Sequence, residues 1–135
     1  MTTQTLKRTV SAPKTKLAAK YLLGAMYVVF GLNGFLQFLP QPAPTAAGGA
    51  FLGALFTAGY MFPFIKLTEI FGGLLLLANR SSLGAVILFP VTLNIVAYHL
   101  FLDLPGAPIA IVLLALNLAV AWFNRENYKS LFIKG

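Results

Sequence analysis

Four apolar runs, each long enough to cross a membrane, constrain the fold of this chain more than any other feature of its sequence. They occupy residues 17–39, 62–78, 83–102 and 107–123, and polar or turn-forming residues follow each of them. Runs of about 17 to 23 residues match a bilayer hydrocarbon core of ~30 Å when they are helical. Backbone groups in lipid must be satisfied within the segment, and period-2 alternation is absent, so the runs predict helices and not barrel strands.

The small number of charged residues supports a fold that is solvated by lipid. Charged residues make up 10% of the 135 residues and hydrophobic residues 59%, whereas an ordinary soluble domain is roughly 25% charged. So few charges cannot cover the surface of a water-soluble fold of this length. We therefore predict one all-α domain, a four-transmembrane-helix bundle over residues 17–125, with basic tails at residues 1–16 and 126–135.

A short apolar stretch lies between the first and second runs. Residues 40–49 (PQPAPTAAGG) are uncharged and rich in Pro, Ala and Gly, which is typical of a loop. Residues 50–60 are apolar again and are followed by Pro63. Because roughly ten to fourteen residues cannot cross the hydrocarbon core, this stretch predicts a short interfacial or re-entrant helix.

The distribution of Lys and Arg predicts the orientation of the chain. With the amino terminus inside, the inside segments hold nine basic residues and the outside segments, 40–61 and 103–108, hold none. The nine are Lys7, Arg8, Lys14, Lys16, Lys20, Arg80, Arg125, Lys129 and Lys134. Positive charge near span ends resists translocation. The first run is longer than a usual signal-peptide core, so we interpret it as an uncleaved helix. Both termini are then cytoplasmic, in a bacterial-type inner membrane.

Given this topology, nearly all polar side chains within the spans fall in the extracytoplasmic half, with Asn117 alone near the midplane. We take eight of them as candidate ligand-binding residues. They are Asn33, Gln37, Lys66, Glu69, Asn94, Tyr98, His99 and Asp103. Because intramembrane polar residues are expensive and face a cavity or a partner group, their clustering in one half predicts a binding region there.

Glu69 is the most informative single residue of this set. A carboxylate about 10 Å below the outer surface costs several kcal/mol unless it is paired, hydrated or protonated. Lys66 stands three residues earlier, one turn away, and can pair with it. Gly72 and Gly73 follow on the same face and would let a neighbouring helix approach closely. Two interpretations remain open: an ion pair that fixes helix packing, and a ligand or proton site.

The third run carries two further pairs with helical spacing. His99 and Asp103 are four residues apart, which predicts an imidazole–carboxylate hydrogen bond. Asn94 and Tyr98 form a second such pair, about 100° further round the helix, so the four side chains cannot all face one pocket. A histidine near a helix end also has an interfacial or structural interpretation. Pro90, in the same run, should kink the helix and free a carbonyl near Val86.

Several chemistries are excluded by the residues that the chain lacks. It contains no cysteine, which removes disulfides, thiolate ligands and thiol redox chemistry. A single histidine cannot ligate haem on both sides, and the supply of carboxylates is too thin for a metal site. The net charge of +7 does not indicate nucleic acid, because no basic stretch is interleaved with stacking aromatic residues.

The middle of the chain resembles the DoxX family of membrane proteins. Residues 69–77 (EIFGGLLLL) are similar to the E-x-x-G-G-x-x-L-L stretch of that family's second helix. Residues 88–103 (LFPVTLNIVAYHLFLD) are similar to its third-helix stretch. Asn33-Gly34-Phe35 and Phe64-Ile65-Lys66 are also typical of the family, and the resemblance covers roughly residues 17–125.

The resemblance implies a small four-helix membrane bundle with a redox-linked or quinone-adjacent role. Because the chain shows no redox centre of its own, another molecule would supply any redox group. We expect a cluster centred on Glu69, Lys66 and His99 to bind a quinone headgroup or a lipid-like amphiphile without a covalent bond.

An alternative function is a non-catalytic accessory subunit of a larger membrane complex. Polar residues would then fix helix packing, and a basic tail would contact other membrane subunits. A small transporter is a third class, less favoured because the chain shows neither an inverted repeat nor a pair of broken helices.

Overall fold

The computed structural model of the protein describes residues 13–135, and helices dominate that range. The five α-helices are α1 (Lys14–Leu36), α2 (Ala46–Thr57), α3 (Met61–Leu77), α4 (Ser81–Phe101) and α5 (Ala107–Phe123). Two 3-10 segments, Leu104–Gly106 and Arg125–Phe132, flank α5. Residues 13–135 contain no strand, so the predicted all-α class is confirmed. Residues 1–12, with Lys7 and Arg8 of the predicted basic tail, lie outside the described part.

Three to four helices are long and apolar enough to cross a membrane. Three satisfy this individually: α1, α4, and the segment Leu104–Phe123 that joins the 3-10 turn to α5. α2 and α3 qualify together, but they are bent by 94° relative to each other at the break between them. The outward surfaces of the helices are apolar, with Phe64, Leu74 and Leu93 among the exposed side chains. A surface of this kind is suited to lipid.

α1 is shifted by three residues toward the amino terminus relative to the predicted first span, residues 17–39. At its carboxyl end, Gln37 adopts a left-handed conformation with φ 50° and donates its N–H to the Asn33 carbonyl. The Asn33 side chain accepts the N–H of Leu39 at 2.7 Å. These bonds satisfy backbone groups that a helix end leaves free, so the helix stops here. At the other end, the helix includes residues 14–16, which belong to the predicted basic tail.

The carboxyl-terminal segment, predicted as a tail at residues 126–135, is mostly ordered against the start of α4. Asn127 donates its side-chain N–H to the Ser82 hydroxyl at 2.6 Å. Tyr128 donates its hydroxyl to the Ser82 carbonyl at 2.8 Å. Two bonds to one residue hold the 3-10 segment Arg125–Phe132 beside the helices.

Glycines set the distances between the packed helices. α1 packs against α3 and α5, and α4 packs against the same two helices. A Cβ at Gly73 would lie 2.8 Å from the Gly24 carbonyl oxygen in α1, and a Cβ at Gly72 would lie 2.5 Å from Leu88 Cγ in α4. The close approach expected at these two glycines is confirmed, and each of them faces a different helix.

Candidate functional site

The Lys66–Glu69 ion pair forms as the spacing along α3 predicts. Lys66 Nζ lies 2.9 Å from Glu69 Oε2 and 3.1 Å from Oε1. Glu69 is buried, with 2% of its surface exposed. The lysine stem passes over Gly34 of α1, where a Cβ would lie 2.7 Å from Lys66 Cγ. Gly34 therefore makes room for the stem, and the ammonium can reach the buried carboxylate.

α2 lies across the ends of α3 and α4, at the end of the molecule that holds this ion pair. At its start, Thr45 donates its N–H to Asp103 Oδ1 at 2.9 Å, and the Thr45 hydroxyl donates to the Leu102 carbonyl. At its far end, the Phe56 ring stacks on Phe62, the residue one turn before Lys66, at a centroid distance of 3.9 Å. α2 thus connects the end of α4 to the start of α3.

The expected His99–Asp103 contact also forms, at the corner between α4 and α5. His99 Nδ1 lies 3.0 Å from the Asp103 carbonyl oxygen and 3.3 Å from Oδ2. The imidazole packs against Gly106, where any side chain would collide with it. The Tyr98 ring meets it edge-on with centroids 4.8 Å apart. With Thr45, these residues form a polar corner that holds the start of α2.

The structure divides the eight candidate residues into separate groups. Within residues 13–135, no hydrogen bond or ion pair joins the Lys66–Glu69 pair to the polar corner. Asn33 caps α1 with its side chain, and Gln37 is exposed beyond the helix end. Asn94 is exposed on the outward surface of α4.

A buried polar network that the sequence analysis missed links α1, α4 and α5. The Tyr27 hydroxyl oxygen lies 2.5 Å from Thr92 Oγ1, and Asn117 Nδ2 donates to the same oxygen at 2.9 Å. Thr92 donates to the Leu88 carbonyl at 2.9 Å. Of the three linked residues, only Asn117 stood out in the sequence. The available signal was that hydroxyl groups in the middle of apolar runs need partners.

The charge pattern counts Lys20 among the basic residues of the inside segments, but its side chain is buried between helices and not on the surface. It is buried in α1, and its Nζ donates to Asn79 Oδ1, in the α3–α4 connection, at 2.6 Å. Asn79 has φ 63°, a left-handed conformation that asparagine tolerates. This bond places the start of α1 beside the turn between α3 and α4.

The residues that the structure describes offer no grouping of three or more His, Asp or Glu side chains suited to a metal ion. What residues 13–135 form is a helical protein with three to four membrane-compatible helices, a buried ion pair and a buried hydroxyl–amide network.

The chain is 31% identical over 116 residues to the uncharacterized protein YwoB of Bacillus subtilis (strain 168). The alignment covers 83% of this chain and 73% of YwoB. The chain therefore belongs to the same family as YwoB. No protein-family model matches it, and no solved structure matches it.

Proposed function

We propose that this chain is a DoxX-like, four-span protein of a bacterial-type inner membrane that binds a quinone headgroup or a similar small amphiphile at the Lys66–Glu69 pair. The observation that carries the proposal is the environment of Glu69. Its carboxylate is 2% exposed, within an apolar helix, and among residues 13–135 only Lys66 bonds to it. Charged groups at such positions in membrane helices usually mark ligand or proton sites.

The hydrogen bonds at the opposite end of the molecule support four spans. Lys20, near the start of α1, bonds to Asn79 after α3, and Tyr128, after α5, bonds to Ser82 at the start of α4. The start of α1 and the end of α3 therefore meet at one end, so α3 runs back along α1. The same end carries Arg80, which favours the cytoplasmic side for it.

The two members of the ion pair suit different parts of an amphiphile's headgroup. Lys66 is the more accessible, with 19% of its side chain exposed against 3% for Glu69. Its ammonium can donate a hydrogen bond to a carbonyl oxygen, while the Glu69 carboxylate can accept one from a hydroxyl. Lys66 Nζ lies 5.7 Å from the centre of the Phe62 ring, and Phe56 of α2 stacks on Phe62, so the two rings offer an apolar wall.

The experiment is binding of a short-chain benzoquinol, whose hydroxyl can donate to the Glu69 carboxylate, to the protein in lipid nanodiscs, compared between the parent and Glu69→Gln. We expect the variant to bind at least about tenfold more weakly, which corresponds to roughly 1.4 kcal/mol. Its stability should change little, because the oxygen of the introduced amide still accepts a bond from Lys66. Glu126→Gln, at an exposed carboxylate, is the matched control and should bind normally. Normal binding by a strongly destabilised Glu69→Gln variant would show that the pair only fixes packing.

Asn94 favours a second candidate function, that of an accessory subunit in a larger membrane complex. Its amide is exposed on the apolar outward surface of α4, where a hydrogen bond to a neighbouring helix would be favourable. Purification from the native membrane in a gentle detergent distinguishes the two functions. A stoichiometric protein partner would favour the subunit, and an isolated protein carrying an amphiphile would favour the binding site.

A further inference from the structure

A groove between α4 and α5 opens on the outward surface, away from the Lys66–Glu69 pair. Its volume is about 380 Å³, and its apolar walls include Val86, Phe89 and Leu118. Asn117 lies at its floor, and Tyr128 closes the end nearest the start of α4. We call this the α4–α5 groove. Its volume falls within the range of small-molecule sites, roughly 300 to 1,000 Å³.

The floor of the groove holds a hydrogen-bond acceptor without a donor. Within residues 13–135, Asn117 Oδ1 is buried and has no hydrogen-bond partner. The orientation of the amide follows from Thr92, which donates its single hydroxyl proton to the Leu88 carbonyl and so can only accept from Asn117. The amide nitrogen is therefore bonded to Thr92, and the amide oxygen is left without a donor among residues 13–135.

Pro90 adds a second acceptor to the same groove. Proline has no N–H, so the carbonyl of Val86, four residues earlier, loses its usual helical donor. Val86 and Pro90 both line the groove. Tyr128 also lines the groove, but its hydroxyl is already bonded to the Ser82 carbonyl at 2.8 Å. Burial raises the pKa of this phenol above its ordinary value, so it stays protonated and bonded there.

A molecule that enters the groove from the lipid can supply the missing donor. Both acceptors are uncharged and the walls are apolar, so a cation would lose its hydration without gaining a counter-charge. An anion would be repelled by the partial negative charges of the two carbonyl oxygens and would bind poorly. A neutral, lipophilic molecule with one O–H group matches both the floor and the walls.

We propose that the α4–α5 groove binds a lipophilic phenol, whose hydroxyl donates to Asn117 Oδ1 and whose ring packs between Phe89 and Leu118. The site lies near the start of α4 and the end of α5, at the side of the molecule opposite to α2. It is separate from the ion pair and extends beyond the function proposed above.

The only tryptophan of the chain provides a natural reporter for this site. Trp122 follows Ala121, which lines the groove. Trp122 itself lines an adjoining apolar surface, and Leu118 and Tyr128 belong to both that surface and the groove. In nanodiscs, a brominated alkylphenol should quench Trp122 fluorescence saturably. The methyl ether of the same phenol lacks the donor, and we expect it to bind roughly tenfold more weakly. Equal binding of the phenol and the ether would overturn the proposal.

Two variants locate the binding. Asn117→Leu removes the acceptor at similar size, so the affinity for the phenol should fall to that for the ether. Val86→Phe fills the groove and should weaken binding of the phenol and the ether alike. Val112→Phe, at an exposed position of α5 outside the groove, is its matched control and should bind normally. Should Asn117→Leu not fold, the ether comparison and the Val86→Phe variant still decide.

Three outcomes would refute the groove as the site. They are full phenol affinity in a folded Asn117→Leu variant, identical binding by Val86→Phe and Val112→Phe, and loss of quenching in Glu69→Gln. The last result would place the phenol at the ion pair and would support the function proposed there. Unchanged quenching in Glu69→Gln, together with weaker binding in Val86→Phe, supports the groove whether or not the ion pair binds a quinone.

Discussion

Replacing Lys66 with Met should destabilise the protein by about 3–5 kcal/mol, the usual cost of leaving a buried charge without its partner. The magnitude follows from the geometry of the pair. Both Glu69 oxygens bond to Lys66 Nζ, at 2.9 and 3.1 Å, and the carboxylate side chain is 3% exposed. Methionine keeps an apolar stem over Gly34 and removes only the ammonium, so the loss reports the charge and not the packing.

The opposite replacement, Glu69→Gln, should cost about 1 kcal/mol or less. The oxygen of the introduced amide can still accept from Lys66, and the lysine side chain is exposed enough for its ammonium also to contact water or headgroups. In the double variant Lys66→Met/Glu69→Gln no charge remains at the site. We expect it to recover most of the stability that Lys66→Met loses, with a coupling energy on the order of 3 kcal/mol.

Reversible unfolding in mixed micelles, followed by circular dichroism as the denaturing detergent increases, measures these differences. The exposed pair Lys129–Glu126, with Nζ and Oε2 2.5 Å apart, is the control. There, Lys129→Met should change the free energy of unfolding by no more than about 0.5 kcal/mol. Equal losses for Lys66→Met and Glu69→Gln, or simple additivity in the double variant, would refute the assignment of Glu69 as a buried charge that depends on Lys66.

Two further predictions concern helix packing and the attachment of α2. Gly73→Ala should destabilise the protein by about 1–3 kcal/mol, because the new Cβ would lie 2.8 Å from the Gly24 carbonyl oxygen. A Cβ at Gly53 has no neighbouring atom within 4 Å, so Gly53→Ala should be neutral or stabilising in the same unfolding assay. Asp103→Leu should speed hydrogen exchange in α2, because the Thr45 N–H loses its acceptor, while Asp103→Asn should retain most of the protection. Equal effects within either pair of variants would contradict the packing or the attachment described above.

The helical class and the two local side-chain pairs could be predicted from the sequence, because both depend on short-range periodicity. Lys66 reaches Glu69 across one turn, and His99 reaches Asp103 in the same way. The short helix before α3 was also predicted, since its length and flanking prolines are local features. Whether it is interfacial remains a prediction.

What the sequence could not supply is the set of contacts between distant segments. The predicted binding region was inferred from the similar depth of nearly all polar residues in the membrane. Depth along a helix does not fix the direction around it, and Asn94 therefore faces outward while Tyr98 faces α2. The partners of Thr92 lie 65 residues before it and 25 residues after it, and no periodicity reveals such pairs.

The contact between the carboxyl-terminal segment and Ser82 also bears on the order in which the protein assembles. Ser82 precedes its partner Asn127 by 45 residues, and Tyr128 by 46. A ribosome that adds about 5–20 residues per second completes this contact several seconds after it has made the first turn of α4. During that interval the start of α4 lacks both bonds and the groove beside it lacks its end wall. This side of the molecule can therefore close only after Asn127 and Tyr128 have been synthesised.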